Sequence, residues 1–151
     1  MIRSVFLAAA LGGLTAFAAR DARGIASARS VREPGRSVWD SVYTEAQASR
    51  GDSVYKASCV KCHGATLTGT DDGSPLTGSN FLGNWNGLSA GELYEKIRTT
   101  MPPDKPKSIP GPQLADVVAY IFAQNHFPAG AKALSDSTET LNAIKIVQSK
   151  P

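Results

Sequence analysis

Cys59-Val60-Lys61-Cys62-His63 puts two thiols and an imidazole within five residues. Separated by two residues on one helical turn, both thiols can reach one flat molecule. The spacing suits thioether attachment of a porphyrin through its two vinyl groups, with His63 close enough to bind the iron as proximal ligand. Attachment, ligation and folding would then be one event. Two other chemistries use the same groups. A redox dithiol needs a strand–turn–helix setting and gains nothing from His63. A zinc site would have to draw on Cys59, Cys62, His63 and His126, and an adjacent cysteine and histidine seldom both reach one tetrahedral metal. The spacing therefore favours haem c, one per chain, because Cys59 and Cys62 are the only cysteines.

A haem with both faces capped needs a sixth ligand. Met101 stands in Thr99-Thr100-Met101-Pro102-Pro103, where prolines stiffen the backbone and remove donors while a soft thioether can face iron. The other methionine is the first residue. Core filling is the usual fate of a methionine, but this one is followed by prolines and polar residues. His126 is the rival ligand; just past a helix, a histidine more often answers the helix dipole at the surface. With His63 and Met101 as the metal ligands, no coordination position is left for a substrate, which predicts an electron carrier rather than an enzyme. A small peroxidase or gas sensor is the alternative if Met101 is off the iron. Lys61, Lys105 and Lys107 could form a basic rim that steers an acidic partner, against the plainer reading of solvated lysines.

These residues need helices to position them. Thr44-Glu-Ala-Gln47 fits a capping box, so a helix should run from there toward Cys59, with Ala48, Gly51 and Tyr55 on one stripe. Ser89-Ala-Gly-Glu92 is a second box, followed by Leu93, Tyr94 and Ile97 on a helix ending near Thr99. A third helix should start at Pro112 and carry Leu114, Val117, Val118, Ile121 and Phe122 before Asn125 and Pro128 stop it. Residues 64–86 read as a long Gly, Thr, Ser and Asp loop. Such a loop in a small domain makes sense if it wraps something that is not protein.

The chain has 151 residues, 42% hydrophobic and 19% charged, which fits one compact domain with extensions. Its formal net charge is +3, yet five arginines fall in residues 20–37 and residues 38–151 are close to balanced. No surface for nucleic acid is implied. Residues 1–18 open with Arg3, continue through an apolar run and close on Ala16-Phe17-Ala18, the pattern of an export signal too short to span a bilayer. Contact with a membrane is expected only if that segment is uncleaved. Residues 19–39 read as a flexible Arg/Ser/Gly tether, 40–131 as the domain, and 132–151 as an arm packed on it through Leu141, Ile144, Ile146 and Val147.

Over residues 40–131 the sequence resembles a class I monohaem cytochrome c, on the strength of Cys59-x-x-Cys62-His63, the downstream Met101-Pro102 and the flanking helices. The resemblance implies an all-α fold of three main helices and long loops around one covalent haem. It also implies that the first and last helices cross, with Gly51 and Tyr55 meeting Val117, Tyr120 and Ile121. It assigns the Pro75 carbonyl to the free ring nitrogen of His63, and the Trp85 indole to a haem propionate. Tyr43-Thr-Glu-Ala-Gln47, the run from Glu92 to Pro102 and Asn125-His-Phe-Pro-Ala-Gly130 are similar to a bacterial subgroup found as free carriers or fused to quinoprotein dehydrogenases. With the export pattern of residues 1–18, this resemblance implies an exported, periplasmic protein with redox partners: a quinoprotein or other dehydrogenase, another cytochrome, or a terminal oxidase.

Overall fold

Thr44 sets the first helix. In a computed structural model that describes residues 35–150, its backbone is extended and its hydroxyl accepts the Gln47 backbone N–H at 3.2 Å, opening α1 (Glu45–Ser58). The expected return bond from the Gln47 side chain is not formed. Gln47, 3% exposed, instead clasps Leu134: Nε2 donates to the Leu134 carbonyl at 2.9 Å, and Oε1 accepts the Leu134 N–H at 2.7 Å. A buried amide must satisfy both its ends, and one backbone residue of the arm offers both partners. Past Cys59 a single further turn, α2 (Val60–His63), carries the attachment motif and stops at Gly64, whose φ of 77° suits glycine.

The stretch expected to be a loop contains α3 (Gly78–Trp85). Phe81 and Trp85 lie one turn apart on it, ring centroids 6.2 Å apart, and Phe81 is fully buried. Next, Ser89 and Glu92 form both halves of a capping box: Ser89 Oγ accepts the Glu92 N–H at 3.1 Å, and Glu92 Oε2 accepts the Ser89 N–H at 2.6 Å. They open α4 (Ala90–Thr100), which ends at Met101. Met101 is extended (φ −124°, ψ 147°) because the helical region is disfavoured for a residue before proline.

With Pro112 in its first turn, α5 (Gly111–Gln124) is buried continuously from Leu114 to Phe122, so it forms the axis of the core. Its main partner is α1. Gly51 lies against the Asp116 carbonyl and the Tyr120 Cβ so closely that a methyl group would not fit. Alongside, the Tyr55 and Tyr120 rings sit 5.4 Å apart, and the Arg50 guanidinium grips Asp116 through two bonds of 2.8 Å. The expected crossing of first and last long helices is present, with Asp116 and Tyr120 as the residues facing Gly51.

The arm forms α6 (Thr138–Asn142) and a short strand, β2 (Ile144–Lys145), with Leu141, Ile144 and Ile146 buried. Parallel to β2 runs β1 (Arg36–Ser37), pairing Arg36 with Ile144 and Ser37 with Lys145. Val38 follows at 0% exposure, and Trp39 Nε1 donates to the Val147 carbonyl at 3.0 Å. Residues 36–39 thus belong to the folded body, not to the tether expected over 19–39, because Val38 and Trp39 supply apolar surface that β2 lets them bury. The expected export signal and the rest of the tether lie outside the described residues. No described helix is long and apolar enough to cross a membrane.

Candidate functional site

Around the α1–α2 junction the helices leave a cavity of about 800 Å³. Cys59, Cys62 and His63 line it, as do Met101, Trp85 and Pro75. The sequence-expected residues are therefore brought to one chamber. Its apolar surface comes from Leu76, Leu93 and Ile97 and from Val117 and Ile121 of α5. Protein interiors are otherwise packed to crystal density, so a void of this size in so small a domain is the shape of a bound group.

His63 is held from one side. Its Nδ1 lies 2.7 Å from the Ser74 carbonyl; a carbonyl only accepts, so Nδ1 carries a proton, and in the neutral ring this leaves the Nε2 lone pair for a metal. The acceptor is Ser74, not the Pro75 expected from the resemblance. The oxygen used belongs to the peptide unit entering the proline, and Pro75 itself contributes to the cavity wall.

The loop that brings Ser74 there is tied to the motif at several points. The Gly69 N–H donates to the His63 carbonyl at 3.0 Å, and the Thr70 hydroxyl donates to the Cys62 carbonyl at 2.5 Å. Gly73 lies against the Cys62 carbonyl with no room for a side chain. From the other side, the Tyr55 hydroxyl donates to the Gly64 carbonyl at 2.6 Å, and burial pushes its own pKa up to about 12. None of these supports has a local signature in the sequence, apart from the glycines. They are contacts between residues six to eleven positions apart, and only the folded loop creates them.

Burial, with a smaller contribution from neighbouring Cys62, pushes the Cys59 thiol up to about 11. A redox dithiol needs the opposite shift. Among the described residues no three His, Cys, Asp or Glu side chains converge on a metal position. His126 is exposed, has a left-handed φ of 62°, and is not among the residues lining the cavity. Its position is that of the residue just past a helix end, where the chain turns to close the last carbonyls.

Met101 is half-buried at the cavity wall. So is Trp85, whose indole N–H has no hydrogen-bond partner among the described residues, in contrast to Trp39. Of the expected basic rim, Lys61 and Lys105 line the cavity and Lys107 does not; Lys96 of α4, not anticipated, does. Asp72 and Asp104 stand among them, so the rim is mixed in charge. The donor set is two thiols, one imidazole of fixed tautomer and one thioether in an apolar chamber, which fits an iron porphyrin.

A family model described as cytochrome c oxidase, cbb3-type, subunit III matches residues 46–121, half of the chain. That span holds the motif, Met101 and the α1–α5 crossing. No curated protein and no solved structure matches the chain.

Proposed function

The chain belongs to the family of cbb3-type cytochrome c oxidase subunit III, as a monohaem c-type cytochrome of all-α fold that serves haem-based electron transfer, and from that premise we propose its ligation, role and setting. Cys59 and Cys62 would hold one haem c through thioether bonds, and His63 and Met101 would ligate its iron. When bound, the haem supplies a one-electron ferric/ferrous couple. The chain's own residues do the rest. The Ser74 carbonyl keeps the proton on Nδ1 and so leaves Nε2 to the metal. Leu76, Leu93, Ile97, Val117 and Ile121 keep water from the chamber, and a low-dielectric wall disfavours the extra charge of ferric iron. A thioether at Met101 favours the ferrous state relative to a second imidazole, and both effects raise the potential.

With His63 and Met101 both ligating, no position would remain on the iron for a substrate, and the protein would carry electrons without substrate chemistry there. Its partners are redox proteins: a quinoprotein or other dehydrogenase, another cytochrome, or a terminal oxidase. The pattern of residues 1–18 supports export to a bacterial periplasm. The observation that carries this reading is the meeting of Cys59, Cys62, His63 and Met101 on one apolar cavity.

Mass spectrometry of the denatured protein, made with haem-attachment machinery, tests it. The chain mass plus one haem is expected, and Cys59→Ser combined with Cys62→Ser should remove the added mass. A wild-type protein that carries none would refute the attachment.

A further inference from the structure

Asn125 is the residue that closes α5, and it is 8% exposed. One of its bonds is an ordinary helix-end contact, Nδ2 donating to the Ile121 carbonyl at 2.8 Å. The other two cross to a distant segment. Nδ2 also donates to the Leu76 carbonyl at 2.9 Å, and Oδ1 accepts the Gly78 N–H at 3.1 Å. A helix cap alone needs neither of these.

Leu76 is two residues from Ser74, the acceptor for His63, and the residue between them is Pro75, whose ring fixes φ. Few free torsions separate the Leu76 carbonyl from the Ser74 carbonyl. Ser74 itself is exposed, so water competes for its bond to the imidazole unless the backbone is held. The loop is also pinned at Leu67, whose carbonyl accepts the Leu76 N–H at 2.8 Å and the Thr77 hydroxyl at 3.3 Å. Asn125 then joins this pinned loop to α5, the helix that supplies Val117 and Ile121 to the cavity.

Building on the reading of His63 as an iron ligand, we infer that Asn125 is a positioning residue for it: its clasp on Leu76 and Gly78 aims the Ser74 carbonyl at Nδ1. The bond from a ligating histidine to a carbonyl raises the basicity of the ring and stabilises ferric iron. Loosening it favours the ferrous state.

The test compares holoprotein variants. Asn125→Leu removes the clasp, and Gln47→Leu removes a matched buried clasp, the one on Leu134, from residues outside the cavity lining. Both should lower the melting temperature. Only Asn125→Leu should raise the midpoint potential, and only it should speed solvent exchange of the His63 Nδ1 proton in the ferrous protein, by roughly fivefold or more. If Asn125→Leu does not accumulate, Asn125→Ser should give the same two shifts at smaller size. The inference is overturned if the haem is attached and His63 ligates it, yet the Asn125 variants lose stability with potential and proton exchange unchanged. Failure of the underlying reading looks different: the wild type itself would lack covalent haem, or would keep its low-spin spectrum in His63→Gly.

Discussion

At the residue scale, the site depends on what each side chain can give an iron. Met101 is half-buried at the cavity wall, held extended by the proline after it. Met101→Leu keeps the volume and removes the sulfur. The far-red charge-transfer absorption of ferric iron bonded to methionine should be lost and the midpoint potential should fall, while covalent haem content stays the same; an unchanged far-red band would remove Met101 from the iron. The motif Cys59-x-x-Cys62-His63 compresses its proposed chemistry into five residues, so that proposal can be made without any structure. The partner of His63 was one peptide unit away from expectation. Pro75 marks the place, but the oxygen that meets the ring is the one entering the proline.

At the element scale, helices announced by side-chain caps were readable and those built on packing were not. Thr44 and Ser89 each start a helix as expected, whereas α3 begins on Gly78-Ser79-Asn80, a run of poor helix formers, and exists because Phe81 finds a buried place. The Ser89–Glu92 box has a pH signature. Glu92 accepts first the Ser89 backbone N–H and then its hydroxyl, which holds its carboxyl below the ordinary glutamate value. A carboxyl depressed in the folded state contributes stability above its unfolded pKa, and the contribution is lost as pH falls through the folded one. The melting temperature of wild type should therefore exceed that of Glu92→Gln at pH 7, with the gap closing in acid; a gap that is constant with pH would contradict the assignment. At the α1–α5 crossing, Gly51→Ala pushes a methyl group into the Asp116 carbonyl and should cost about 1–3 kcal/mol in denaturant unfolding. A neutral result would mean that the two helices can separate at no cost.

For the whole molecule, the two ends of the described chain meet. β1 and β2 pair, Trp39 bonds to Val147, and the Gln148 N–H donates to Asn86 just past α3. Sequence patterning showed apolar residues in the arm but not where they go, because a two-residue parallel pairing between positions 36 and 144 has no local signal. Leu134, Leu141, Ile144 and Ile146 are all buried, each worth about 1.5–3 kcal/mol of burial. Their sum is comparable with the roughly 5–15 kcal/mol that stabilises an ordinary domain. Truncation after Ala131 should accordingly lower the melting temperature of the holoprotein sharply; an unshifted transition would show that the arm is dispensable.

At all three scales the proposal is the same: one haem, attached by sulfur and ligated on both faces by this chain. The visible absorption spectrum of the purified ferric protein tests that most directly. A low-spin c-type spectrum with a weak far-red band is predicted, and a colourless or high-spin protein would contradict it.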